Sequence, residues 1–284
     1  MSLISIGTTR HIDFIRNKLD DELKLLQAEG VEYNLQEKAS GDYTFLGYNI
    51  VPKTKTDKGG LQFKHFLAQV ISEVVVSKWE ENLIKGIIKS SYSYFTEEEK
   101  QNIFDKTLQF LADEDNLLRK NRILLKIAEY LETHDDLIID GFIKFRLKEY
   151  VSELEEAVDS AVDSFLMEKE YNEFIRLLRH FVEMQDTKVQ EVHVLLKPSG
   201  YFQLYDAKQN VITNEYLEDF VVDLYDTDIN YEDLLISALI TTAPQQIVLH
   251  LPDMEEVKNT IKIIDNVFGE RVVICPGCSK CREE

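Results

Sequence analysis

Apolar residues at the start of the chain repeat first with the period of a strand, then with that of a helix, and then with that of strands again. Residues 3–7 alternate, and the segment after them has apolar residues three or four positions apart, at Ile12, Ile15, Leu19, Leu23 and Leu26. This spacing is typical of an amphipathic helix. Two more alternating runs, 31–38 and 43–51, are joined by the turn-forming residues 39–42. The pattern predicts a small β-α-β-β unit over residues 1–60.

The middle of the chain has the composition of helices. Residues 61–185 contain no proline and only two glycines, so we expect helices throughout this region. Its most regular segment carries an apolar seam, a row of residues spaced by four and three on one helix face: Leu147, Val151, Leu154, Val158, Ala161 and Phe165. The apolar residues then change phase, which predicts a bend or a second helix starting near residues 167–171. An unbroken helix over residues 142–185 would be about 65 Å long, too long for one compact domain.

The last part of the chain has the pattern of a small α/β domain. The predicted elements are strands at 189–196, 201–205, 246–251 and 271–275, and helices at 214–224, 231–242 and 253–268, the last of them capped by Asp253. A Lys-Pro-Ser-Gly turn joins the first two strands into a hairpin. Because a helix lies between the last two strands, we expect them to pair in parallel.

These patterns predict an α+β fold of three regions. A helical middle region with a long amphipathic helix, residues 61–187, is flanked by a small β-α-β-β unit at 1–60 and by a small α/β domain at 188–284. The C-terminal domain carries all the cysteines of the chain.

The chain is strongly acidic, with 32 Lys and Arg against 52 Asp and Glu among 284 residues and a formal net charge of −20. Nucleic acids and anionic membranes bind clustered cations, so neither is the expected partner. The excess acid lies in the second half, since residues 133–187 hold 6 basic and 14 acidic groups and residues 188–284 hold 8 and 17. Any anionic partner is therefore expected on the first half. The chain has neither a bilayer-spanning apolar run nor an N-terminal export signal, so we expect a cytoplasmic protein.

The three cysteines lie in one short segment, Cys275-x-x-Cys278-x-x-Cys281, with Pro-Gly between the first two. This spacing lets a tight turn bring two thiolates to one cation, and Pro-Gly suits such a turn. The third cysteine gives a set that zinc would complete with one further ligand. His250 is the candidate, because it closes one predicted strand and Cys275 closes the neighbouring one. The sequence thus predicts a zinc site formed by Cys275, Cys278, Cys281 and His250.

Other roles for these residues stay open at this point. An iron–sulfur cluster is less favoured than zinc, because the ferredoxin run needs a fourth cysteine followed by proline. A redox role of one C-x-x-C pair and reduced thiols without any ligand are further alternatives, whereas a structural disulfide is disfavoured in the cytosol. Taken alone, His250 is more typical of a strand-end histidine with no metal role.

Other candidate chemistry in the sequence is weak. Glu149, Glu153, Glu156 and Asp163 share one stripe of the long helix, but a single helix face rarely supplies the converging oxygens of a calcium or magnesium site. We expect a solvated face there. The lysine-rich loop at 53–60 lacks the residue order of a phosphate-binding P-loop, and no G-x-S-x-G, H-E-x-x-H, G-x-G-x-x-G or EF-hand pattern occurs. No residue is therefore assigned a catalytic or cofactor-binding role.

Blocks in the long helix and at the cysteine-rich end carry a family resemblance. FIKFRLKEY at 142–150, VDSAVDSFLMEKEYNEFIRLLRHFV at 158–182 and VVICPGCSKC at 272–281 resemble the YtxC-like family of endospore-forming Bacillus-type bacteria. The resemblance extends over the whole length. It implies a cytoplasmic protein with a role in sporulation, and it implies no particular reaction, cofactor or catalytic residue.

These features favour a non-enzymatic sporulation factor that binds or regulates a protein partner. The apolar seam and the acidic surface would form the partner site, and the zinc site would be structural. Neither nucleic acid nor membrane is an expected partner, and the oligomeric state stays open. The alternative is a metal- or redox-dependent enzyme that uses the C-x-x-C-x-x-C segment at the carboxyl ends of the C-terminal strands.

Overall fold

The computed structural model describes residues 2–28, 32–51, 59–113, 116–196, 202–212, 231–250 and 258–282. The chain forms two compact units, Met1–Met167 and Glu168–Glu284, each with its own sheet and hydrophobic core. The predicted α+β fold, mainly helical with a small mixed sheet towards each end, is confirmed. The finer division into three regions stays a prediction. Within the described ranges, no helix is both long and apolar enough to cross a membrane.

The N-terminal sheet contains the predicted β-α-β-β unit and one further strand. Its elements are β1 (Ser2–Thr8), α1 (Ile12–Ala28), β2 (Glu32–Ser40), β3 (Tyr43–Val51) and β4 (Asp136–Ile138). The strand order is β2-β3-β1-β4, with β4 parallel to β1 and the other neighbours antiparallel. Gly41 has a φ of +59° in the β2–β3 turn, a conformation that glycine adopts without strain.

Strand β4 corrects the expectation of helices alone between residues 61 and 185. Its central residue, Leu137, is buried and lies beside Ile6 of β1. The strand is only three residues long, too short to show the alternation by which a strand is recognised in a sequence. Burial of Leu137 in the sheet therefore overrides the helical composition around it.

Helices form most of the remaining N-terminal unit. They are α2 (Gly59–Val74), α3 (Glu80–Ser91), α4 (Glu97–Asp113), α5 (Asn116–Thr133) and α6 (Ile139–Arg146), with a π-helical turn, Val75–Trp79, between α2 and α3. Helix α2 packs along α5. A capping box starts α4, because the Thr96 N–H donates to the Glu99 carboxylate and the Glu99 N–H donates to the Thr96 hydroxyl. Phe63, Trp79 and the side chains around them are buried in a core shared with the sheet.

Helix α7 (Lys148–Met184) is 37 residues long and continuous. The prediction of a second helix starting near residues 167–171 is wrong, because the chain breaks instead at Leu147, between α6 and α7. The first half of α7 buries the apolar seam in the N-terminal core. In the second half, Ile175, Leu178 and Val182 belong to the C-terminal core. The apolar residues change phase because they serve a different core, while the helix itself continues.

The C-terminal sheet consists of β5 (Val189–Leu196), β6 (Phe202–Asp206), β7 (Pro244–His250) and β8 (Val272–Ile274), with helices α8 (Tyr231–Thr242) and α9 (Lys258–Phe268). Its order is β6-β5-β7-β8. The predicted hairpin of β5 with β6 and the predicted parallel pairing of β7 with β8 are both confirmed. The core contains Val194 of β5, Leu204 of β6 and Leu249 of β7. The predicted turn at 197–200, helix at 214–224 and cap Asp253 lie outside the described residues.

Candidate metal centre

The register of two parallel strands brings His250 and Cys275 to one edge of the C-terminal sheet. Leu249 of β7 pairs with Ile274, the last residue of β8. His250, the last residue of β7, and Cys275, the first residue after β8, therefore follow this pair on neighbouring strands. The N–H of Cys275 still donates to the Leu249 carbonyl at 2.9 Å. The cysteine segment therefore leaves the sheet directly beside the end of β7.

The segment then turns back over His250. Gly277 has a φ of +110°, which a residue with a side chain rarely adopts, and a 3₁₀ turn at Lys280–Arg282 follows. Because residues alternate between the two faces of a strand, His250 points away from the core face that holds Leu249. His250 is nevertheless only 4% exposed, since the segment with Cys278 and Cys281 lies against it.

The four candidate ligands converge. Nδ1 of His250 lies 3.3 Å from Sγ of Cys278 and 3.4 Å from Sγ of Cys281, and these two sulfurs are 3.8 Å apart. With Sγ of Cys275, all four ligand atoms lie within 4.8 Å of one another. The structure thus brings together all the residues that the sequence singles out, and metal binding by them stays a prediction.

The distances fit a tetrahedral zinc ion. Zn–S bonds of about 2.3 Å and Zn–N bonds of about 2.0–2.1 Å place two sulfur ligands about 3.8 Å apart and a sulfur and a nitrogen about 3.6 Å apart. The separation of the Cys278 and Cys281 sulfurs equals the first value, and the two sulfur–nitrogen distances are slightly shorter than the second. Cys278, Cys281 and His250 are therefore spaced as zinc ligands, and the Cys275 sulfur lies within 4.8 Å of each of their ligand atoms.

The surroundings act differently on the pKa of each ligand. Backbone N–H groups, that of Cys281 first, lower the pKa of the Cys278 thiol by hydrogen bonding to its sulfur. Burial raises the pKa of the Cys281 thiol. Burial, followed by the nearby His193 and Lys280, lowers the pKa of His250. A lowered pKa favours the neutral imidazole, which is the form that binds metals.

Sequence reasoning missed two neighbours of this cluster. Nδ1 of His193, on β5, lies 3.0 Å from Nε2 of His250, and the ammonium group of Lys280 lies 3.5 Å from the centre of the Tyr205 ring on β6. Both contacts depend on β5 and β6 lying next to β7, and no spacing in the sequence shows that order. Alternation in β5 could indicate only the face on which His193 lies.

Two carboxylates of the acidic stripe on α7 form ion pairs with a neighbouring helix. Glu149 and Glu153 form ion pairs with Lys126 and Arg122 of α5. Glu149, Glu156 and Asp163 are exposed, as expected of a solvated face. The Lys126 ammonium lowers the pKa of Glu149 through a hydrogen bond. Residues 52–58 of the lysine-rich loop lie outside the described residues, and Gly59 already starts α2.

Comparison with protein families matches residues 65–273 to the YtxC-like family. The chain belongs to the YtxC-like family. It is 24% identical over 250 residues to the Bacillus subtilis (strain 168) protein described as "Uncharacterized protein YtxC", covering 80% of this chain and 85% of that protein. No solved structure matches. The residues matched to the family include His250 and end before Cys275.

Proposed function

We propose that this YtxC-like protein is a non-enzymatic, protein-binding factor of sporulation whose C-terminal unit is stabilised by a structural zinc ion. The convergence of three thiols and one imidazole carries the proposal. Thiolates and imidazole suit zinc better than magnesium or calcium. Four protein ligands also fill its tetrahedral shell, whereas a catalytic zinc keeps one position open for water or substrate. The donor set therefore favours a structural site over the enzyme alternative.

A bound zinc ion would connect the irregular segment 275–282, which follows β8, to the sheet. Beyond the end of β8, the segment is linked to its neighbours by the Cys275 backbone hydrogen bond and by the Lys280–Tyr205 contact. Bonds from one ion to Cys278, Cys281 and His250 would add a rigid connection between this segment and β7. Because such a site does not exist in the unfolded chain, its binding free energy would stabilise the folded unit.

The proposed protein-binding role needs a surface other than the expected one. Leu154, Val158 and Ala161 of the apolar seam are fully buried and cannot contact a partner. Large apolar side chains are exposed further along the same helix, at Tyr171, Phe174, Leu177, Phe181 and Met184. Contiguous exposed apolar surface of this kind marks protein interaction sites. The role in sporulation is supported by the family resemblance.

Metal content of the untagged protein tests the zinc site. Elemental mass spectrometry should find about one zinc ion per wild-type chain and much less zinc in the Cys278→Ser variant. The control is His180→Ala, which removes an exposed histidine on α7 and should leave the zinc content unchanged. With Co²⁺ in place of zinc, a closed site gives a tetrahedral spectrum that added azide does not change. Zinc-free wild-type protein would end the proposal, and an azide-dependent spectrum would favour the enzyme alternative.

The Cys278→Ser variant also tests the cellular part of the proposal. A strain that carries only the Cys278→Ser variant should form fewer heat-resistant spores than a strain that carries only the His180→Ala variant. Equal spore counts for a full deletion and the wild type would contradict a role in sporulation.

A further inference from the structure

The second half of α7 exposes a row of apolar residues that the described residues of its own unit do not cover. Phe174, Leu177, Phe181 and Met184 are 56%, 66%, 55% and 74% exposed and are spaced by three, four and three. This is the spacing of the contact positions of a coiled coil. We call these four residues the exposed seam. The face that α7 packs on the C-terminal core is formed by other residues, Ile175, Leu178 and Val182.

The exposed seam offers the area of a small stable interface. Tyr171, one turn before it, is a further 40% exposed. At about 200 Å² for a large side chain, the five residues leave roughly 600 Å² per chain, so a symmetric pair would bury at most roughly 1,200 Å², the lower end of specific protein interfaces. A monomer that leaves five such side chains in water on one helix would carry an aggregation hazard.

We propose that the exposed seam binds a second copy of this chain, through antiparallel pairing of the two α7 helices. The proposal rests on the protein-binding role above and names the partner. A spacing of three, four and three reads the same in both directions, so a two-fold axis can place the row against itself. Such a self-complementary patch is what an isologous dimer requires.

Side-chain size favours the antiparallel direction. In that direction Phe174 meets Met184, and Phe181 meets Leu177, so each layer combines an aromatic ring with an unbranched or smaller side chain. Large residues facing small or flexible ones fill such an interface evenly. A parallel pair would place Phe against Phe in two layers and would set Glu170, seven residues before Leu177, beside its own copy, where like charges repel.

The overall charge opposes association and makes it salt-dependent. Each chain has a formal net charge of −20, so two copies repel each other at low ionic strength. Added salt screens this repulsion without weakening apolar contacts. The dimer should therefore become tighter as the salt concentration rises, unlike a complex that ion pairs hold together.

Sedimentation equilibrium of the full chain at several protein and salt concentrations tests the proposal. We expect a mass twice the 33.1 kDa of the chain for the wild type, and the single-chain mass for Leu177→Glu and for Phe181→Asp. Leu125→Glu is the matched control, because Leu125 is 65% exposed on α5 and should leave the dimer intact. A wild type that stays monomeric overturns the proposal, as does a dimer that Leu177→Glu leaves unchanged.

Two further measurements show whether the dimer, the zinc site or the antiparallel arrangement is wrong. Zinc is measured on the same sample, so a zinc-loaded monomer overturns the dimer alone and a zinc-free dimer overturns the zinc site alone. A photoreactive benzoylphenylalanine in place of Phe174 should cross-link to Met184 of the second copy, as mass spectrometry of the peptides would show. Cross-links to the segment around position 174 of the copy would overturn the antiparallel arrangement.

Discussion

His250 is held from both sides in the candidate metal centre. Its Nδ1 faces Cys278 and Cys281, and its Nε2 lies 3.0 Å from Nδ1 of His193. Nε2 of His193 in turn lies 3.7 Å from the Glu191 carboxylate. A metal on Nδ1 of His250 would leave the proton on Nε2, which donates to His193, whose own proton then points towards Glu191. One set of tautomers therefore satisfies the hydrogen bond between His250 and His193 and directs the remaining His193 proton towards the Glu191 carboxylate, 3.7 Å away.

Replacing His193 should therefore weaken zinc binding without removing a ligand. We expect His193→Ala to lower zinc affinity by about 10- to 100-fold, the usual effect of losing the group that orients a ligand histidine. Competition with a chelator measures this affinity. His193→Gln should recover most of the loss, because its amide oxygen can accept the same hydrogen bond. Equal affinities for wild type and His193→Ala would contradict the orienting role.

Glu80 and Tyr150 form a buried pair in the N-terminal unit. Both are 6% exposed, and the Tyr150 hydroxyl donates to Oε2 of Glu80 at 2.8 Å, with Nε of Arg119 at 3.8 Å. Burial raises the pKa of Glu80 above its ordinary value of 4.5, although Tyr150 and Arg119 act in the opposite direction. Burial and the Glu80 carboxylate also raise the pKa of Tyr150.

The raised pKa gives stability a definite pH dependence. The folded chain holds the Glu80 proton more tightly than the unfolded chain, so this stabilisation is complete below pH 4.5 and is lost as the pH rises through the folded-state pKa. The free energy of unfolding of the wild type relative to Glu80→Gln should thus fall as the pH rises. Urea unfolding can be followed by the fluorescence of Trp79, the chain's single tryptophan.

Glu149 provides the contrast for this measurement. The Lys126 ammonium lowers its pKa, so its contribution should be present above pH 4.5 and decrease as the pH falls. The effect should be small, because the carboxylate is exposed and screened by solvent. For Glu80, the free energy of unfolding of the wild type minus that of Glu80→Gln is the quantity to follow. If this difference rises with pH, the raised pKa of Glu80 in the folded chain is contradicted.

At the scale of single elements, periodicity predicted the strands and helices that are long enough to show it. The β-α-β-β unit and the β7-α9-β8 arrangement follow from runs of regular spacing. Two features could not be predicted in this way. Strand β4 has too few residues for a period, and α7 changes apolar phase at Glu168 because it enters a second core. A change of phase is therefore not a reliable sign that a helix ends.

The two faces of the N-terminal helices should differ in their sensitivity to truncation. Leu154 of the apolar seam is fully buried, so Leu154→Ala should lower the free energy of unfolding by about 2–5 kcal/mol. Leu125→Ala, at an exposed position on α5, should change it by less than about 0.5 kcal/mol. The two leucines lie in the same unit as Trp79, whose fluorescence in urea measures both. Equal effects would contradict the assignment of the seam to the core.

For the whole molecule, the sequence could predict which residues converge at the candidate metal centre, but not which neighbouring side chains contact them. Cysteine spacing and two neighbouring strand ends were enough to bring Cys275, Cys278, Cys281 and His250 together. The contact of His193 with His250 was not predictable, because it requires the sideways order β6-β5-β7-β8. Lateral strand order depends on how the whole sheet assembles, whereas each strand is encoded by its own residues.

Strand β4 has a consequence for chains that are only partly folded. It is held beside β1 by a backbone hydrogen bond from Ser5 to Asp135 and by two bonds from Thr9 to Asp140, residues 131 positions apart in the chain. Contacts between such distant segments form late, since much of the chain must be ordered first. Until then β1 is an open edge strand, with unpaired backbone groups that can template pairing with another molecule. A fragment that stops before residue 136 keeps that edge permanently and should be prone to aggregate.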